Sequence, residues 1–148
     1  MFIFEIPGIP IAQKQTRFIC PCKKGHCYDP SKKDKETIQW QVRPFAPSIP
    51  FSCPVELTIA FFMPIPKAAS RMVRDQMLNR LILPDKKPDE DNLAYLITNA
   101  LKGIVYDDDC RVVVKHVYKF YSDDPRTVVK VRPIAEVQPV GFHDGDHI

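Results

Sequence analysis

The stretch Lys87-Pro88-Asp89-Glu90-Asp91-Asn92-Leu93-Ala94-Tyr95-Leu96-Ile97-Thr98-Asn99-Ala100-Leu101-Lys102-Gly103 sets the frame for the chain. Leu93, Leu96, Ile97, Ala100 and Leu101 fall at i, i+3, i+4, i+7 and i+8, which is one apolar helical face. Asp91 stands where an N-cap belongs. Lys102 suits the last turn, where a cation meets the negative end of the helix dipole. Gly103 is a natural C′ residue. Pro88 biases Lys87 toward extended backbone, so residues 87–91 are expected to enter the helix as extended chain. In extended chain, residues i and i+2 point the same way, which would aim Asp89 and Asp91 together and Glu90 elsewhere. Beyond Gly103, Ile104-Val105-Tyr106 reads as a short strand or turn carrying a second acidic cluster, Asp107-Asp108-Asp109. The helix is expected to fold that cluster back onto the first.

Three converging carboxylates need a counter-ion. Two unit charges ~4 Å apart cost about 4 kcal/mol at an effective dielectric near 20. A divalent hard cation removes that penalty. Donors that are all oxygen, with no His or Cys, suit Mg²⁺ or Mn²⁺ rather than zinc. Such an ion can activate a water and stabilise a phosphoryl transition state. Taken alone, however, the two clusters are more simply a solvated helix start and a turn.

Lys87-Pro88-Asp89-x-Asp91-Asn92-Leu93, then Ala100-Leu101-x-Gly103, then Asp108-Asp109-x-x-Val112, resembles the signature of the RusA family. Those proteins are Holliday-junction resolvases common in phages and prophages. Pro64-Ile65-Pro66-Lys67 resembles the segment ahead of the family's acidic motif. Lys119 matches a lysine often found after it. Phe4-Glu5-Ile6-Pro7-Gly8-Ile9-Pro10 through Arg17 resembles the N-terminal strand and basic turn of many members. The resemblance implies a small dimeric, Mg²⁺-dependent endonuclease that cuts four-way DNA junctions symmetrically. It carries the metal-binding aspartates to Asp89, Asp91 and Asp109, with Asp108 the alternative third ligand. One position departs from the family pattern: Tyr95 stands where a catalytic lysine is typical. Tyrosine is uncharged near neutral pH, so Lys86, Lys87 or Lys102 must supply the cation, or catalysis is slow or absent. Asn99 also departs, standing where many relatives have Asp.

At 148 residues and 45% apolar, the chain can bury one core. The expected organisation is one domain over 1–134 and a polar tail over 135–148. The net charge of +3 is unevenly spread: residues 1–88 hold 14 Lys/Arg against 7 Asp/Glu, and residues 89–148 hold 7 against 11. A basic portion beside an acidic site suits attraction of a phosphate backbone to a metal-holding point. No apolar run approaches the ~18 residues of a membrane span, and there is no signal-peptide pattern. A cytoplasmic protein without a membrane partner is expected.

Along the chain, Met1 to Ile6 reads as a strand, and Gln13-Lys14-Gln15-Thr16-Arg17 as a basic turn. The family comparison favours phosphate contact by Arg17 and Lys14. Cys20, Cys22, His26 and Cys27 could bind zinc, but their spacing is no usual zinc motif. A basic loop of reduced thiols, with Lys23 and Lys24 able to meet DNA, is the preferred reading. Five cysteines argue against a complete disulfide framework, and Cys53 and Cys110 read as core or strand residues. A helix is expected over Ser31 to Arg43, capped by Ser31, with Trp40 in the core. Val55 to Phe62 alternates as a strand. Ser70 to Leu81 reads as a helix with Met72, Met77, Leu78 and Leu81 as core or dimer contacts and Arg71, Arg74 and Arg80 as its basic side. Arg71 and Arg74 are DNA-contact candidates together with Lys86, Lys87 and Lys119. Arg111 to Tyr121 is a long strand with Val112, Val114, His116, Tyr118 and Phe120 on one side. Ser122-Asp123-Asp124-Pro125 reads as a hairpin turn into a strand over Arg126 to Ile134.

The expected architecture is α+β, with about five mostly antiparallel strands and three helices. The expected activity is Mg²⁺-dependent cleavage of branched DNA by a homodimer, with Asp89, Asp91, Asp109 and Lys87 as catalytic residues. Two other readings remain open: a junction binder that does not cut, and a zinc-stapled interaction protein.

Overall fold

Every second residue from Val55 to Met63 is a large apolar side chain, and that pattern builds the central strand. In a computed structural model, which describes residues 1–19 and 26–135, strand β4 (Val55–Pro64) buries Val55, Leu57, Ile59, Phe61 and Met63 on one face. Removing each such side chain from water is worth about 1.5–3 kcal/mol. The sheet order is β1-β6-β4-β5. β1 (Phe2–Pro7) pairs antiparallel with β6 (Arg126–Pro133), and β6 pairs antiparallel with β4. β5 (Val112–Ser122) pairs parallel with β4 and forms one edge. A separate ribbon joins β2 (Arg17–Ile19) to β3 (His26–Tyr28). Helices α1 (Lys32–Val42), α2 (Arg71–Leu78) and α3 (Glu90–Leu101) complete the expected α+β domain.

A parallel pair needs a long crossover, and the segment between β4 and β5 supplies one that holds α2 and α3. The expected hairpin at Ser122–Pro125 is corrected: β4 lies between β5 and β6. The link from Ser122 to Arg126 must cross two inter-strand spacings, about 10 Å. Four Cα steps can reach about 13–14 Å, so the turn passes over the end of β4. Pro64 and Pro66 stop β4 in time for this.

The buried faces meet on the helical side of the sheet. Phe4 and Ile6 of β1, Val129 and Val131 of β6, and Ile38 and Val42 of α1 pack with Leu93, Leu96, Ile97, Ala100 and Leu101 of α3. The predicted apolar face of α3 is thus a core face. On the opposite side of the sheet, Tyr118 stacks on Phe120 at 6.0 Å, and the Arg80 and Arg126 guanidinium groups lie 4.3 and 4.1 Å over Phe120 and Phe62.

Several local expectations are corrected. Trp40 is 72% exposed, not core, and lies beneath Arg43 at 5.3 Å. Ser31 precedes α1 but its hydroxyl makes no cap bond; it accepts the Lys14 N–H at 2.9 Å instead. α2 ends at Leu78, and Met72 and Leu81 are exposed while Met77 is buried. Cys53 and Cys110 are exposed rather than core, as is Cys27. Cys20, Cys22, Lys23, Lys24 and the tail from residue 136 lie outside the described residues.

Candidate active site

Helix α3 opens with three exposed carboxylates. Asp89, not Asp91, is the N-cap, with extended backbone (φ −67°, ψ 144°), and its carbonyl oxygen accepts the Leu93 N–H at 3.2 Å. Its side chain makes no cap bond. Asp91 lies inside the first turn and accepts its neighbour Asn92 N–H at 2.9 Å. Glu90, Asp91 and Asp89 all sit at the positive end of the helix dipole. Because Asp91 is helical, the extended-chain parity expected for 89–91 does not hold. Glu90 and Asp91 line the same cleft.

That cleft has a volume of about 530 Å³ and is walled by Glu90, Asp91, Asn92, Ala94 and Tyr95 of α3 against Lys115 and Val117 of β5. A second cleft of about 500 Å³ shares Asn92 and Tyr95 with the first and continues to Gln13, Lys14, Gln15, Thr16 and Lys35. A third shares Lys14 to Thr16 and ends at Arg17 and Tyr28. The backbone bond from Gln13 N–H to Asn92 O, 3.0 Å, fastens the basic turn to the start of α3. Below the helix start, the Lys119 ammonium donates to the Lys86 and Pro88 carbonyl oxygens, both at 2.9 Å. It thereby staples the loop that delivers Asp89. Lys86 and Lys87 line a neighbouring cavity with Pro88 and Lys119.

The second acidic cluster is at the other end of α3. The Lys102 ammonium, at the C-cap, lies 3.2 Å from Asp108 and 3.3 Å from Asp109. Arg111 grips Asp107 through two bonds of 2.8 and 3.0 Å. Contact with Asp109, the Cys110 N–H and Lys102 hold the Asp108 carboxyl well below the usual carboxylate range. Arg111 lowers Asp107, and the two aspartates raise Lys102. A twelve-residue helix is about 18 Å long, and that length separates Asp108 and Asp109 from Asp89 and Asp91. Among the described residues no three His, Cys, Asp or Glu side chains gather in an arrangement that could hold a metal. The chain does return to the start of α3, but only after β5 has retraced the helix, which takes about five or six strand residues at 3.3 Å each. It therefore brings Lys115, Val117 and Lys119 there, not Asp109.

The sequence matches, over residues 7–132, the sequence model of the family described as Endodeoxyribonuclease RusA. The chain belongs to the RusA family. It is also 31% identical over 136 residues to the uncharacterized protein YqaN of Bacillus subtilis strain 168, covering 89% of this chain and 96% of that one. RusA-type nucleases are generally divalent-metal dependent.

In this RusA-family chain the donor set at the start of α3 suits a hard cation. Asp89 and Asp91 are exposed carboxylates, and neither forms an ion pair among the described residues. Mg²⁺ is commonly held by one or two carboxylates, with waters and substrate phosphates completing the shell. Two carboxylates therefore suffice in kind, without Asp109 or Asp108. The other sequence candidates fall in two places. Lys14, bonded to Asp34 at 3.2 Å, and exposed Arg17 lie along the linked clefts. Arg71 and Arg74 lie on α2, and Arg74 is 3.8 Å from Asp123. His116 stands 3.8 Å from Glu56, which lies against Arg132. Sequence reasoning passed over Lys115. The signal was available in the helix length, which sets how far along β5 the opposite wall must come from.

Proposed function

We propose that this chain is a Mg²⁺-dependent endonuclease that resolves four-way DNA junctions, with the ion held by Asp89 and Asp91. The observation that carries this reading is the pair of carboxylates without ion-pair partners among the described residues at the positive end of α3, Asp89 at the N-cap and Asp91 in the wall of a cleft that runs on to Lys14 and Arg17. A bound divalent cation would supply a Lewis acid for the phosphoryl oxygens and lower the pKa of a water. The chain's own residues do the rest. Lys14 and Arg17 hold backbone phosphates along the clefts that lead away from the cut, and such contacts position the DNA without reading its sequence. Lys86 and Lys87 add positive charge beside the loop that carries Asp89. Lys119 keeps that loop in place. A homodimer fits the reaction, because two matched cuts call for two sites related by a two-fold axis.

The test is cleavage of a synthetic four-way junction with Mg²⁺. The wild type should nick it symmetrically, and Asp89→Asn or Asp91→Asn should abolish nicking. Equal cutting by wild type and both variants would sink the assignment. One observation favours a second reading, a protein that binds junctions without cutting. Tyr95, not a cation, stands one turn after Asp91. Tight junction binding with no nicking under Mg²⁺ or Mn²⁺ would select it.

A further inference from the structure

We infer that Lys115 is a catalytic residue of this site, its ammonium contacting the scissile phosphate and balancing the charge that builds there. This rests on the nuclease reading above. Lys115 pairs in register with Leu57, a core-facing residue of β4, so its side chain projects on the helical side of the sheet. It forms the wall of the cleft opposite Asp91 and Tyr95. Among the described residues, the other lysines around α3 are engaged or line other cavities. Lys119 donates to two carbonyl oxygens. Lys102 is held between Asp108 and Asp109 at the far end of α3. Lys86 and Lys87 line the adjoining cavity. Lys115 makes no ion pair among the described residues. α3 itself offers only Tyr95 one turn beyond Asp91, and a tyrosine is neutral near pH 7. The cation the helix lacks is thus presented by the edge strand facing it.

The step is hydrolysis. A water oxygen bonds to phosphorus, the P–O3′ bond breaks, and a proton goes to the leaving oxygen, which leaves a 5′-phosphate and a 3′-hydroxyl. Negative charge on the non-bridging oxygens rises in the transition state. A lysine is a compact point charge on a flexible stem, able to follow that change. The competing role for Lys115 is an inward-pointing charge that guards the exposed edge of the sheet. That role would leave turnover untouched.

Cleavage of a four-way junction separates these. Lys115→Met should lower kcat by about 10²–10³-fold, the usual loss for one transition-state contact. Junction affinity, measured with Ca²⁺ in place of Mg²⁺, should fall less than about tenfold, since one phosphate contact is lost among many. Lys115→Arg should keep part of the activity, and Tyr95→Lys should restore turnover to Lys115→Met. If Lys115→Met cuts at the wild-type rate while Asp91→Asn is dead, the role of Lys115 is overturned and the nuclease reading stands. If Asp91→Asn also cuts normally, both fall. If the wild type binds but does not cut, the salt dependence of binding decides. Lys115→Met should reduce the slope of log K against log salt by about one, and an unchanged slope overturns the contact.

Discussion

At the residue scale, the site depends on which cations are free and which are spent. Lys119 illustrates a spent one: both of its observed bonds go to backbone carbonyls of the loop before Asp89. Hydrogen bonds to a charged group are worth about 1.5–3 kcal/mol each, so the loop is firmly held. Lys119→Met is expected to weaken apparent Mg²⁺ affinity by about 10–100-fold, as loss of an outer-sphere support does. A Mg²⁺ titration of cleavage checks it, and an unchanged midpoint would mean the loop holds itself. The place of Asp89 and Asp91 at the start of α3 was legible in the sequence because their motif is local. The orientation of Glu90 was not, since it depends on the helix starting at residue 90 rather than 92. Trp40 went astray for a related reason: its neighbours Ile38 and Val42 fix a buried stripe that leaves no room for it.

At the element scale, α3 was the most legible part of the chain, from its apolar spacing and Gly103, whose φ is +77°. Its C-terminal finish was not legible. Tyr106 is buried and donates its hydroxyl to the Thr98 carbonyl at 2.6 Å, which satisfies one of the carbonyls left open at the end of the helix. Tyr106→Phe should cost about 1–2 kcal/mol by leaving that carbonyl unpaired. Urea unfolding measures it, and a loss under a few tenths would mean that solvent reaches Thr98. The hairpin expected from Ser122-Asp123-Asp124-Pro125 shows the converse. Turn residues announce a reversal, but which strand lies beyond it is a long-range matter, here decided by β4. The same limit hid the place of Asp109 beside Lys102 at the end of α3, because spacing along the chain does not say where a helix of given length sets its far end.

At the scale of the whole molecule, fold class followed from composition and periodicity, while the parallel β4–β5 pair and the exposed edge of β5 did not. The charge pattern carries a prediction about pH. Asp29, held by Lys35, the Ser31 N–H and Gln13, has a lowered pKa, as do Asp107 and Asp108. A carboxyl with a lower pKa folded than unfolded stabilises fully above the unfolded value, about 3.9, and loses that contribution as pH falls toward the folded value. Lys102 and buried Tyr106 are raised, so their share is complete below their unfolded values, about 10.4 and 10, and fades above them. The melting temperature should therefore be nearly flat from about pH 5 to 8 and fall below about pH 4. Asp29→Asn should flatten the acid limb, which a thermal melt series would show. An acid limb as steep as that of the wild type would remove Asp29 from the explanation.

The central claim is that the start of α3, and not its end, holds the divalent ion. Anomalous diffraction from crystals grown with Mn²⁺ tests this most directly. A peak between the Asp89 and Asp91 carboxylates, in the cleft facing Lys115, is the expected result. A peak at Asp108 and Asp109 with none at Asp89 and Asp91 would contradict it.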